Sequence, residues 1–299
     1  MAFCLAMVSC TDDLDQQPHI GTTSNDVFST IDGYKSMAAK IYASFILKGD
    51  NKGGGDDIST FGGYELWRSY FNLQEGTTDV AAFRWVSGDN LWGLCYLSWD
   101  INDGQNADTY YRIYYTVSLC NEFLRHCKDT GGFTAEEQAQ ISVFAAEARL
   151  MRALCYEMVL DLYRQGPFVD ENSPTSGFLP PAYDAADLIA YIEKEIGEIE
   201  SVLPDHPDYA RAGKGAAYAL LARIYLNAET YTGTPRYDDC IVNCKKTIAL
   251  GYTLEQDWKK LFNGDNHKRT NEIIFAFASD ATEAVTWGGR HISCVWSRW

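Results

Sequence analysis

The stretch that most constrains this chain is AAEARLMRALCYEMVLDLYRQGPF, residues 145–168, a long helical pattern cut off by a Gly-Pro turn. Its apolar residues Ala148, Leu150, Met151, Leu154, Cys155, Met158, Val159 and Leu162 recur at three- and four-residue steps, which places them on one broad face. Upstream, Thr134 with Glu137 three residues later makes a capping box, and Gly166-Pro167 cannot continue a helix. The pattern predicts one helix from Thr134 to Arg164 of roughly thirty residues, about 45 Å long at ~1.5 Å rise per residue. Only neighbouring helices cover a face of that length, so the chain is expected to stack helices.

The remaining periodicity agrees. Helices are predicted from Ser29 or Thr30 to Leu47, Tyr64 to Leu73, Ala107 to His126, Ala185 to Val202, Ala216 to Gly233 and Tyr237 to Gly251. Two successive hairpins, Thr134 to Leu203 and Gly213 to Gly251, carry small residues where partners must approach, so tetratricopeptide-like packing is expected over about 134–251. From Glu75 to Ala107 periodicity is lost, and Trp85, Trp92 and Trp99 stand among Gly, Asp and Asn, which reads as a long functional loop. Core packing is expected for Trp99. NEIIFAFAS, Asn271 to Ser279, reads as a short buried strand. A lone strand needs a partner, and the favoured expectation is that the natural protein continues past Trp299.

With 299 residues, 46% of them hydrophobic, the chain can bury a sizeable core without covalent staples. Its formal charge of -16 argues against nucleic acid or an anionic membrane surface as a partner, since each requires a basic face. The 8 Trp and 19 Tyr favour a surface that stacks on flat, weakly charged ligands, although most of the Tyr are expected in the core. Cys120, Cys127, Cys240 and Cys244 sit at helical spacings and are expected to be buried free thiols. No CxxC pair forms a zinc set, and the five histidines are scattered, so no metal, cofactor or catalytic triad is expected.

The chain begins MAFCLAMVSC, a short apolar run too brief to span a bilayer, followed by acidic TDDLDQQP. MVSC resembles a lipobox, which makes residues 1–9 a signal remnant, Cys10 the acylated residue and 10–27 a lipidated tether. Met7 departs from the usual aliphatic residue, and the basic n-region is missing, as if the start codon were misassigned or the segment trimmed.

Four stretches, CTDDLDQQP, AEARLMRALCYEMVLDLYRQGPF, RAGKGAAYALLARIYLNAETYTG and NEIIF, together resemble the SusD/RagB family of outer-membrane nutrient-binding lipoproteins, in particular its starch-binding SusD branch. The resemblance implies a mainly α fold, in which tetratricopeptide-like hairpins pack with an irregular loop-rich ligand-binding part and few short strands. Residues 28–299 would be the N-terminal portion of a longer family domain. It also implies a non-catalytic cell-surface lipoprotein that holds oligosaccharide for a SusC-like TonB-dependent transporter and touches the outer membrane only through its lipid anchor.

In that branch an Arg precedes an FN-x-x-E-x-x-TD stretch and a Trp follows it, both contacting sugar; in RSYFNLQEGTTDVAAFRW these are Arg68 and Trp85. The branch's Asn contact falls on Gly88 here, with Asp89 and Asn90 beside it, so that contact is shifted or lost. TWGG puts Trp287 where the branch has a tyrosine, and a further tryptophan of the branch's site lies beyond Trp299. The chemistry suits sugar: C–H patches pack on aromatic faces, while Arg, Asp and Asn hydrogen-bond hydroxyls. The alternative for Trp85 and Trp287 is core packing, and for Arg68 a structural ion pair. Rival functions are a peptide-binding helical scaffold and a glycoside hydrolase. For the hydrolase, Asp56, Asp57, Asp79 and Asp89 are available but nothing in the sequence pairs them.

Overall fold

A computed structural model describes residues 23–49, 56–59, 64–81, 83, 87, 91–100, 102–269 and 271–279. Helices dominate: α1 (Ser24–Val27), α2 (Ile31–Ile46), α3 (Leu66–Glu75), α4 (Trp92–Cys95), α5 (Gly104–His126), α6 (Ala135–Tyr163), α7 (Ala185–Ile199), α8 (Lys214–Thr232) and α9 (Tyr237–Ala249). Between α6 and α7, β1 (Gly166–Pro167) pairs antiparallel with β2 (Ala182–Tyr183), and 3-10 turns at Trp258–Phe262 and Asn266–Lys268 follow α9. The signal remnant and Cys10 lie outside the described residues, as does most of the 10–27 tether; α1 occupies its end.

Helix α6 is the spine. Thr134 Oγ1 accepts from the Glu137 N–H at 3.3 Å and Glu137 Oε2 accepts from the Thr134 N–H at 2.9 Å, the reciprocal cap that the sequence predicts. At the other end Arg164 takes a left-handed φ of 64°, and the chain turns into β1. Gly166 is required there, because a Cβ would stand 2.6 Å from Tyr114 Oη and 2.7 Å from a Val159 methyl. Helices α5 and α7 flank α6, and α2 and α8 complete its cover, so its middle is buried on every side. That burial takes in charge as well. Arg152, 1% exposed, donates to Asn121 Oδ1 at 2.6 Å, Glu171 Oε2 at 2.6 Å and Glu195 Oε2 at 2.9 Å. Glu195 also accepts from Arg149, and the two guanidiniums hold its carboxyl below the usual value although burial acts the other way.

The hairpins α6–α7 and α8–α9 carry the tetratricopeptide-like packing. In the second, α9 turns Asn243 and Thr247 inward, while Tyr237, Ile241, Cys244 and Ile248 face solvent. Cys244 is therefore exposed, Cys240 and Cys127 are only partly covered, and of the four thiols expected inside, Cys120 alone is fully buried. The apolar stripe of α9 faces outward, which leaves Cys240 and Cys244 near solvent. Among the described residues no helix is long and apolar enough to cross a membrane.

Residues 271–279 are not a strand. Among the described residues their one backbone pairing is the Thr253 N–H donating to Asn271 O at 2.8 Å, and no described strand lies alongside. Its aromatics pack on the core instead: Phe277 stacks on Phe45 with centroids 4.8 Å apart, and Phe275 meets Phe277 edge-on at 4.9 Å. Of these side chains Phe277 is the one fully buried, and the apolar run is satisfied without a ladder.

Candidate functional site

Helix α3 and the connection from it to α5 hold the described part of the candidate site. The inner face of α3 is unusually polar: Ser69 and Asn72 are buried there, beside buried Glu65 at the helix N-terminus and Arg112 of α5. Burial raises the Glu65 carboxyl, with Arg68 and Arg112 pulling the other way. Arg68 itself is partly exposed and lays its guanidinium over the Tyr64 ring, 4.0 Å from the centroid. That stacking fixes the plane of the guanidinium fork. The two acids weighed for catalysis in the preceding loop are engaged by lysines, Asp57 with Lys40 at 2.7 Å and Asp56 with Lys48 at 3.2 Å.

Beyond α3 the chain is pinned by a small satellite core of Leu73, Leu91 and Leu94, with Phe83, Cys95 and Leu162 packed on it. Gly76 admits Phe83, since a Cβ there would lie 2.3 Å from the Phe83 ring. Phe83 and Leu91 thus anchor the two sides of the stretch that contains Trp85, Asp89 and Asn90. Those three residues, and Trp287, lie outside the described residues; of the five sequence-based candidates only Arg68 is described.

The next turn presents aromatics outward. Trp92 at the start of α4 and Tyr96 just past its end stack with centroids 4.9 Å apart and planes 16° from parallel, yet stay 50% and 63% exposed. Trp99 is 48% exposed, which corrects the expectation that it packs in the core. Its backbone instead closes against Gly93, where a Cβ would be 3.1 Å from the Trp99 Cα, and the Ser98 N–H donates to Gly93 O at 2.8 Å. Leu97 completes the tight turn in the left-handed region, φ 52°, a conformation costly for a branched side chain. Asp103 then caps α5 through the Gln105 and Asn106 N–H groups, at 3.0 and 3.2 Å. Sequence reasoning placed Trp92 in a loop but missed its pairing with Tyr96. The signal was present as the i, i+4 spacing in WGLCY.

A helical-hairpin scaffold bearing a strained, aromatic-faced connection defines the class of protein. The SusD-like family model described as "Starch-binding associating with outer membrane" matches residues 64–226, and the chain belongs to that family. The starch-binding protein SusD of Bacteroides thetaiotaomicron is 30% identical over 291 residues, 95% of this chain and 50% of that protein. Among solved structures, NanU of B. fragilis superposes with a TM-score of 0.68 at 17% identity, covering 92% of this chain and 53% of its own. A laminarin-binding SusD-like protein gives a TM-score of 0.66 at 19% identity, covering 86% of this chain and 53% of its own. The chain spans about half the length of these relatives.

Proposed function

We propose that this chain is a non-catalytic glycan-binding protein of the cell surface, anchored in the outer membrane through an acylated Cys10, that holds starch-type or maltooligosaccharide chains for a SusC-like TonB-dependent transporter. The observation that carries the binding reading is the Trp92–Tyr96 stack with Trp99 beside it: three half-exposed rings on a backbone held by a satellite core and a strained turn. Rings left in water at that cost suit the C–H faces of sugars, and Arg68, oriented on Tyr64, supplies directional donors to hydroxyls. Trp85 and Trp287 are assigned to the same ligand because they take the branch's aromatic positions, and Asp89 and Asn90 as the polar neighbours of its shifted Asn contact. The names of the relatives support the ligand class: one binds starch and one binds laminarin, both neutral glucans.

Calorimetry with maltooligosaccharides tests the reading. Trp85→Ala is expected to weaken binding about tenfold or more, the scale of one lost stacking and hydrogen-bonding partner. Unchanged affinity would remove Trp85 from the site. Release of shorter products on incubation with the same sugars would replace the binding reading with hydrolysis.

A further inference from the structure

On another face, between α2, α6 and the turn before α8, the structure contains a cavity of about 590 Å³, inside the ~300–1,000 Å³ range of small-ligand pockets. A smaller one of about 190 Å³ adjoins it across the shared residues Tyr209, Ala210 and Arg211. These three form a ridge between the two, and the ridge is held at a cost. Ala210 has a left-handed φ of 65°, rare for a residue with a Cβ. What holds it there is a buried polar relay. Glu147 of α6, 2% exposed, accepts from Arg211 Nη2 at 2.6 Å and from Tyr42 Oη at 2.9 Å, while Tyr42 Oη accepts from the Ala212 N–H at 3.1 Å. The Arg211 guanidinium lies 4.9 Å above the Phe144 ring, so its plane is fixed as well.

The lining decides the ligand class. Tyr209 is 47% exposed, meets the His267 ring edge-on at 6.2 Å, and lines the cavity together with apolar Ala38, Ile46 and Phe277. Charges at the wall balance: Lys35 and Arg211 against Asp32 and Glu147. A charged ligand gains nothing net from such a set. A hydroxyl-rich neutral one does, because each hydroxyl both donates and accepts, and Gln140 at the rim offers both. We infer that this cavity is a second carbohydrate-binding site, taking a neutral sugar unit stacked on Tyr209 and hydrogen-bonded by Arg211 and Gln140. The inference rests on the glycan-binding reading but not on the same described residues: none of Arg68, Trp92 or Tyr96 lines the cavity.

The test is calorimetry of the full chain with maltohexaose and laminarihexaose, in the unmodified protein, in a Trp85→Ala/Trp92→Ala double variant, and in that double variant carrying Tyr209→Ala or Gln140→Leu. Tyr209 and Gln140 are exposed, so the added substitutions leave folding intact, which melting curves check. The expected result is a weak binding phase that survives the double variant and falls about tenfold or more with Tyr209→Ala, and measurably with Gln140→Leu. A double variant with no residual binding overturns the second site and leaves the aromatic connection as the sole site. Residual binding indifferent to Tyr209→Ala overturns it too. If the double variant binds as tightly as the unmodified protein and Tyr209→Ala abolishes that binding, the second site stands and the α3–α5 reading fails. No binding of either sugar by the unmodified protein overturns both.

Discussion

The middle of α6 and the connection between α3 and α5 use the same kinds of side chain in opposite ways. Around α6, Tyr156 is wholly buried, and its hydroxyl both donates to Val169 O at 2.6 Å and accepts from the Val169 N–H at 2.8 Å. Arg152 is enclosed and bonded on three sides. In the connection, Trp92, Tyr96 and Trp99 stay in water, and the backbone beneath them bears the constraint through Gly93, Leu97 and the satellite core. One region pairs most of its polar groups internally. The other leaves rings unsatisfied on a fixed base, the arrangement of a surface kept ready for a ligand. Stability and recognition are thus separable in this molecule, and substitutions can be chosen to break that separation.

The largest effect is expected from Arg152→Ala. It leaves the buried carboxylate of Glu195 with one guanidinium instead of two and removes the α6 partner of Glu171, a loss of about 3–5 kcal/mol. Denaturant unfolding measures it, and any glycan affinity of the folded fraction should be unchanged. Leu94→Ala comes next. It opens a cavity in a satellite core of few residues, so about 2 kcal/mol is expected, the low end for such truncations, with weakened glycan binding because Phe83 and Leu91 lose their common anchor. A change in stability with no change in binding would show that the satellite core does not position the site.

A smaller effect concerns pH. Glu157, buried at the junction of α6 and α8, is pushed up to about 7 by burial, against the pull of Arg223, whose Nε lies 3.0 Å away. The folded protein therefore holds a proton that the unfolded chain releases near its ordinary value of 4.5. This contribution to stability is complete below that value and is lost as pH rises through about 7. Melting temperatures of Glu157→Gln between pH 5 and 8 should fall less steeply with pH than those of the unmodified protein. Equal slopes would remove Glu157 as the cause.

What the sequence discloses divides along the same line. The ends of α6 were legible because a capping box at Thr134 and a Gly-Pro stop at Gly166 are local chemistry, and α7 and α8 followed from spacing alone. The outward stripe of α9 was not, since periodicity identifies an apolar face without saying which way it points. Residues 271–279 misled for a related reason: a short apolar run suits a buried strand and equally an irregular segment that packs Phe275 and Phe277 on the core. In the candidate site, Arg68 could be placed on its helix, but not its stacking on Tyr64, which depends on the two side chains meeting before α3 has completed a turn. The exposure of Trp99 was equally invisible, because a tryptophan's hydrophobicity argues for burial and only the close approach at Gly93 turns it outward.

The central claim is that recognition belongs to the aromatic connection and stability to the α6 spine. Calorimetric titration of Trp92→Ala with maltohexaose, alongside its melting curve, tests it most directly. The account predicts affinity lowered about tenfold with stability within about 0.5 kcal/mol of the unmodified protein, since the ring is half in water already. Unchanged affinity, or a loss of binding that merely tracks a loss of folding, would contradict it.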